Sequence, residues 1–168
     1  MGQKGRKRRK LQKGGCAVST LNGKELRKFD QVNRMSLPPK FRKGLGEDIV
    51  IMKSIHKEPC LILFSEEAWD GFTENVLASF EGAKQADAQR RLANRSDTVA
   101  LDKSGRISLK DDFKAYASLG EDVLAVGLTD RVELWNPETW EEWYGTDTEE
   151  DGDDDFFENV SYSKPKAR

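Results

Sequence analysis

The sequence has two cysteines, one histidine and no long apolar run. Cys16 and Cys60 lie too far apart for a metal-ligand motif, so neither a zinc site nor a disulfide framework is expected. No apolar run approaches the roughly 18 to 20 residues that span a bilayer, and the first residues lack the apolar stretch of a secretion signal. These absences exclude a secreted disulfide-rich domain and a membrane protein. We expect a soluble protein in the reducing cytoplasm.

Residues typical of catalytic sites are also scarce. His56 is the single histidine and falls in a predicted hairpin. No nucleophile lies near a base, and no Gly-rich phosphate loop or ligand cluster is present in the sequence. We therefore expect no enzyme, no cofactor, no metal and no small-molecule substrate. An active site could still be formed by carboxylates that are distant in sequence and close together in the fold.

One sequence phrase occurs twice. The segment from Phe29 to Phe41 returns from Leu101 to Phe113. Each copy has an apolar residue, an Asp, a three-residue turn, an Arg, a second apolar residue, Ser-Leu, and a helix start closed by Phe. The similarity continues through residues 45–69 and 119–140. A single copy is too small to bury a core alone, so the chain is predicted to be one unit built twice.

Short apolar runs between turn residues predict strands. Residues 49–52 and 61–64 should form one hairpin, and residues 123–127 and 132–135 the equivalent one. With the intervening helices this pattern predicts an α+β fold that is mainly β.

Several sites carry helix-start signals. Ser65 and Asn136 precede acids or proline, as N-caps do. Ser36 and Ser108 are predicted to cap two short helices, with Phe41 facing inward from the first. Aromatic residues follow at helical spacing, and we interpret them as core or subunit interface. They are Trp69, Phe72, Trp140, Trp143 and Tyr144.

Composition divides the chain into five segments. We predict a basic disordered arm at 1–22, a first repeat at 24–71, a helical connector at 72–97, a second repeat at 98–143 and an acidic disordered tail at 146–168. For the arm, a nonspecific DNA tether and a solubilising tail both remain open. For the tail, a phosphate mimic and a solvating segment remain open.

The net charge of −2 conceals a strong asymmetry. Residues 1–13 carry +7, and residues 24–57 carry nine Lys and Arg against four acids. Residues 102–145 carry five Lys and Arg against ten acids, and residues 146–168 sum to −5. Two copies of one unit with opposite charge are unsuited to the same task. The first copy is the one suited to phosphate.

Both copies contain an Asp-x-x-x-Arg turn. Asn33 and Gly105 occupy the equivalent place before the Arg, and both residue types tolerate positive φ. Asp30 and Asp102 are expected to accept hydrogen bonds from turn amides or to pair with the Arg. We interpret these four as turn-structuring residues.

The turn should present an arginine on the strand that leaves it. These arginines are Arg34 and Arg106. One interpretation makes each a ligand for DNA, and the other makes it half of a salt bridge that holds the fold. The basic residues of the first repeat that we expect beside Arg34 at DNA are Arg27, Lys28, Lys40, Arg42 and Lys43. The last three are predicted to project from the short helix of the first repeat.

These motifs resemble the MraZ family of bacterial transcriptional regulators, in which two SpoVT-AbrB-type units follow one another. The resemblance covers roughly residues 23–144. It depends on both Asp-x-x-x-Arg turns, the Ser-Leu-Pro-Pro-Lys-Phe-Arg segment at 36–42, the hairpin at 55–61 and the Glu133-Leu134-Trp135 strand before a Trp-bearing helix. A double occurrence in this order is specific, whereas a single turn is not.

The resemblance implies a swapped-hairpin AbrB-type barrel built from both repeats with flanking helices, and a ring-shaped homo-oligomer associated with the nucleoid. It also implies binding to repeated promoter elements upstream of the protein's own division and cell-wall operon, usually as a repressor. By position, Arg34 is then the DNA-contacting residue and Arg106 its second-copy equivalent. The usual first motif has Lys-Gly where Val32-Asn33 stands here, so affinity and recognised sequence are open. The alternative is a protein-interaction module like the antitoxins that share this barrel.

Overall fold

A computed structural model describes residues 21–145 and 156–163. The predicted basic arm lies outside these residues except for its last two positions, and so does most of the predicted acidic tail. Within the described part of the chain, no helix combines the length and apolarity needed to cross a membrane.

The described residues form an α+β fold with antiparallel strands. The strands are β1 (Leu21–Lys28), β2 (Arg34–Ser36), β3 (Asp48–Lys53), β4 (Leu61–Ser65), β5 (Ser96–Ala100), β6 (Arg106–Ser108), β7 (Asp122–Thr129) and β8 (Arg131–Trp135). The helices are α1 (Pro39–Leu45), α2 (Glu66–Ala78), α3 (Ala83–Arg95), α4 (Asp111–Tyr116) and α5 (Pro137–Tyr144).

The larger sheet interleaves the two repeats. Its order is β1-β7-β8-β4-β3-β5, so the predicted hairpins β3–β4 and β7–β8 are confirmed and lie side by side. The leading strand of each repeat pairs with the hairpin of the other, β1 with β7 and β5 with β3. In each repeat, the hairpin therefore pairs with the leading strand of the other repeat and not with its own.

Strand β1 begins inside the range predicted for the disordered arm. Leu21 pairs with Thr129 and is 3% exposed, and its side chain lies against Gly44 of α1. A larger residue at position 44 would meet Leu21 Cδ2 at 2.7 Å. Leu21 and Asn22 therefore belong to the sheet, although both lie in the range predicted for the arm.

The smaller sheet contains one strand from each repeat. In β2–β6, Arg34 lies opposite Ser108 and Ser36 lies opposite Arg106. The N-cap predictions for Ser36 and Ser108 are wrong, because this ladder uses their backbone. The helices start later, after Pro38 and Lys110, and have no side-chain cap.

The main core lies beneath this ribbon. Met35, Leu37 and Phe41 of the first repeat are fully buried with Ile107 of the second. Full burial of such a side chain stabilises the fold by about 1.5–3 kcal/mol. The strands that carry the arginines are therefore attached through their alternate residues to a rigid core.

A second apolar cluster lies under the longer helices. The predicted caps of α2 and α5 are confirmed: Ser65 Oγ accepts from the Ala68 amide at 3.1 Å, and Asn136 Oδ1 from the Glu138 amide at 2.8 Å. The aromatic residues behind these caps pack on Phe64 and Trp135. The packing expected of the aromatic stripes is thus present.

Candidate nucleic-acid interface

The first turn is organised by the carboxylate of Asp30. One oxygen, Oδ1, accepts from the amides of Val32 and Arg34 at 3.0 and 2.9 Å. The other oxygen, Oδ2, accepts from Arg34 Nε at 2.8 Å. Hydrogen bonding to turn amides and pairing with the arginine therefore occur together.

The second turn repeats this geometry. Asp102 accepts from the amides of Ser104 and Arg106 at 2.8 and 2.9 Å, and from Arg106 Nε at 2.8 Å. Hydrogen bonds from the arginine amides are the main reason why the pKa of each aspartate, Asp30 and Asp102, is lowered below its usual value. Both carboxylates are thus charged and oriented near neutral pH.

The residue before each arginine has a left-handed backbone. Asn33 has φ of 59° and Gly105 has φ of 74°. Each also accepts a hydrogen bond from the other repeat: Leu109 donates to the Asn33 carbonyl at 3.0 Å, and Leu37 donates to the Gly105 carbonyl at 3.1 Å. The two turns are therefore related by an approximate twofold axis through β2–β6.

The arginines lie at opposite ends of this ribbon, each paired with a serine of the other strand. The side chains of Arg34 and Arg106 are 37% and 34% exposed. Arg106 Nη1 also lies 3.8 Å from Asp30 Oδ2, so Asp30 faces both guanidinium groups. Within the described residues, the terminal nitrogens of Arg34 donate no hydrogen bond. They can donate to an added anion.

Helix α1 of the first repeat covers the second turn. Arg42 was predicted to project from this helix, but its guanidinium lies over Gly105, where a Cβ would meet Nη1 at 2.0 Å. Its Nε is buried and has no hydrogen-bond partner in the described residues. The prediction of its orientation is wrong because the two repeats face each other across the ribbon.

The other predicted cations are distributed over the first repeat. Arg27 and Lys40 share Glu25, at 2.9 and 3.5 Å, and Lys28 pairs with Asp122 at 2.9 Å. Exposed pairs of this kind contribute only about 0–1 kcal/mol, so a phosphate can compete for the cations.

The last predicted cation stands apart from these pairs. Lys43 is exposed on α1 and has no ion pair within the described residues. The structure therefore brings Arg34, Arg42 and Arg106 together with the turn residues, and keeps the remaining cations in separate groups.

Two residues at the turns were missed in the sequence. Lys114 donates to Asn33 Oδ1 at 2.9 Å, and Asn33 Nδ2 donates to Asp111 Oδ1 at 2.9 Å. Lys114 has the same place in the second repeat as Arg42 in the first. This equivalence in the sequence could have indicated the contact. The twofold relation that places Arg42 on Gly105 also places Lys114 on Asn33.

Metal chemistry has no support in the described part of the chain. Residues 21–145 and 156–163 contain no group of His, Cys, Asp and Glu that could hold a metal ion. Burial raises the pKa of the Cys60 thiol, which therefore stays protonated.

Comparison with known proteins confirms the duplication and the resemblance. A family described as "MraZ protein, putative antitoxin-like" matches the chain twice, over residues 21–91 and 92–159. Three proteins named Transcriptional regulator MraZ are similar over most of their length. The one from Natranaerobius thermophilus is 32% identical over 117 residues, which cover 68% of this chain and 80% of that protein. The one from Nocardioides sp. is 34% identical over 119 residues, 69% of this chain and 80% of that protein. The one from Clostridium tetani is 30% identical over 115 residues, 68% of this chain and 80% of that protein. The chain belongs to the MraZ family.

Proposed function

We propose that this protein is a sequence-specific DNA-binding regulator of transcription. The observation that carries the proposal is the pair of Asp-x-x-x-Arg turns on β2–β6. Each turn fixes Nε of a half-exposed arginine on a carboxylate. In Arg34 a guanidinium held in this way keeps its terminal nitrogens available as donors, which suits bidentate bonding to a guanine edge or a phosphate. The relatives named as transcriptional regulators support the same function.

We assign the contacts by charge and position. Arg34 contacts bases, because one carboxylate faces its guanidinium whereas two face that of Arg106. Arg27, Lys28, Lys40 and Lys43 contact phosphates along the first repeat. Arg42 and Arg106 support the turns and add positive potential. Phosphate contacts of this kind make affinity depend steeply on salt.

The proposal includes a ring-shaped homo-oligomer in which the repeats form a swapped-hairpin barrel. Exposed apolar side chains away from the turns support self-association, among them Trp143 at 41% and Tyr144 at 53% exposure. Several copies of one weak interface then bind repeated DNA elements together, which raises avidity by about 10²–10⁴. We place these elements upstream of the protein's own division and cell-wall operon, where binding in the cytoplasm at the nucleoid represses transcription.

The test is fluorescence anisotropy with DNA from upstream of the protein's own gene and with a shuffled duplex, at two salt concentrations. Arg34→Ala should weaken binding to the upstream DNA by about 1–3 kcal/mol, or roughly 5- to 150-fold. Arg91→Ala is the matched control, because it also removes one exposed cation but lies on α3. Equal losses in the two variants, or equal affinity for the shuffled duplex, contradict the proposal.

A protein-interaction module is the second candidate. Two observations favour it: the family description includes antitoxin-like proteins, and the second repeat carries ten acids in residues 102–145. This function predicts a partner with a basic surface whose binding is unchanged by Arg34→Ala. The DNA function predicts that this substitution weakens binding to the upstream DNA by the amount given above.

A further inference from the structure

The two turns have the same backbone but are fastened to the opposite repeat in different ways. The second turn has Gly105, and its contact with α1 is the packing of Arg42 against the bare backbone. The first turn has Asn33 at the equivalent place, and its side chain is bonded on both sides. The turn that carries Arg34 is therefore attached more specifically than the turn that carries Arg106.

Asn33, Asp111 and Lys114 form what we call the Asn33 network. The amide oxygen of Asn33 accepts from the Lys114 ammonium at 2.9 Å, and its amide nitrogen donates to the Asp111 carboxylate at 2.9 Å. The cation lies against the acceptor and the carboxylate against the donor, so both ends of the amide are matched in charge. Lys114 Nζ also lies 4.2 Å from the centre of the Phe29 ring, just before the turn.

The network cannot be copied at the other turn. A side chain on Gly105 would overlap the Arg42 guanidinium, with Nη1 at 2.0 Å and Cδ at 2.9 Å from an added Cβ. Lys114 stands in the place of Arg42 and leaves room for the Asn33 side chain. Each turn thus contacts the short helix of the opposite repeat in its own way. The first turn does so through Asn33 and Lys114, and the second through Gly105 and Arg42.

We propose that Asp111 and Lys114 are positioning residues for DNA recognition, through which the acidic second repeat holds the Arg34 turn of the first repeat in its binding geometry. This inference rests on the proposed function. A loop that is ordered before binding pays less entropy on binding, so the network raises affinity without touching DNA. It also explains how the chain tolerates Asn at the place of a turn glycine.

The decisive comparison is Asp111→Ala against Asp112→Ala. Both remove one exposed acid from the start of α4, and both should strengthen nonspecific binding slightly by reducing repulsion of phosphate. Asp112 pairs with Lys53 at 3.2 Å and has no hydrogen bond to Asn33 in the described residues. We expect Asp111→Ala to lower the ratio of upstream to shuffled DNA affinity by about three- to tenfold, and Asp112→Ala to leave the ratio unchanged.

A double-mutant cycle tests whether Lys114 acts through Asn33. If it does, Lys114→Gln and Asn33→Gly each lower the affinity ratio, and the double variant loses no more than the larger single loss. If Lys114 contacts DNA directly, its loss persists in full in the Asn33→Gly background, and the inference is overturned for Lys114. Hydrogen exchange of the turn amides in free protein should rise in Asp111→Ala and stay unchanged in Asp112→Ala.

The outcomes separate this inference from the proposed function. Wild-type selectivity that Asp111→Ala and Asp112→Ala leave equally intact overturns the inference and leaves the function standing. A wild-type protein with no preference for the upstream DNA overturns both. Melting curves of all variants identify a general loss of folding, in which case Lys114→Gln takes the place of Asp111→Ala.

Discussion

At the scale of single residues, the turns use a short carboxylate to prepare a guanidinium for an anion. Asp30 satisfies two amides and Nε of Arg34, so the arginine enters binding with one of its five donors already used and its plane already set. The exposed ion pair itself adds little stability. Its effect lies in orientation.

Gly105 is the residue at which this geometry is least tolerant. Gly105→Ala should lower the free energy of unfolding by about 1–3 kcal/mol, because alanine at φ of 74° is strained and its Cβ displaces Arg42. Gly120→Ala is the control, since no atom lies within 4 Å of its Cβ position. Urea denaturation measures both, and equal midpoints would contradict the prediction.

The turn aspartates should make stability depend on acid. The pKa of Asp30 and of Asp102 is lowered from 3.8, chiefly by the arginine amides. A group whose folded pKa lies below its unfolded pKa stabilises the fold above the unfolded value, and that stability is lost as pH falls through the folded value. We therefore expect the free energy of unfolding to decrease as the pH is lowered from about 4.

Denaturation curves at about pH 6 and about pH 3 provide the measurement. Asp102→Asn removes one of the two turn aspartates. The difference in the free energy of unfolding between the two pH values should therefore be smaller in this variant. An unchanged difference would show that these turns do not contribute to acid sensitivity.

At the scale of elements, the sequence predicted helix ends correctly where contacts between neighbouring residues determine them. The caps at Ser65 and Asn136 were predicted correctly because a cap bonds amides two or three residues away. Ser36 and Ser108 carry the same signal, but the β2–β6 ladder between distant segments overrides it. Arg42 was misplaced for the same reason, since the sequence does not record which turn faces its helix.

The two true caps should differ in strength. Asn136 accepts from two amides, and its Nδ2 also donates to the Ser118 carbonyl at 2.7 Å, which ties α5 to the end of α4. Asn136→Ala should cost about 1–2 kcal/mol and Ser65→Ala about 0.5–1 kcal/mol. Thermal melts of the two variants check the order, and the reverse order would contradict it.

At the scale of the whole molecule, both sheets are built from strands of both repeats. The duplication was evident in the sequence, and so were the two hairpins. The exchange of β1 and β5 between repeats could not be derived from residue patterns, because the repeats share one pattern and it does not say which leading strand pairs with which hairpin. Long-range pairing of this kind depends on the complete fold.

Interleaved strands should unfold as one unit. Leu134 of β8 lies opposite Leu61 of β4, and both are fully buried. Leu134→Ala should cost about 2–5 kcal/mol and shift a single transition in which both repeats take part. Hydrogen exchange read by mass spectrometry follows peptides from each repeat, and exchange confined to the second repeat would contradict the prediction.

The exchanged leading strands also have a consequence for divergence. In a symmetric dimer of identical chains, every substitution appears on both sides of the twofold axis. Here the axis runs through one polypeptide, so the two halves can differ in charge, as residues 24–57 and 102–145 do. Covalent linkage fixes the ratio of the two specialised halves at one to one, whatever the expression level of the gene.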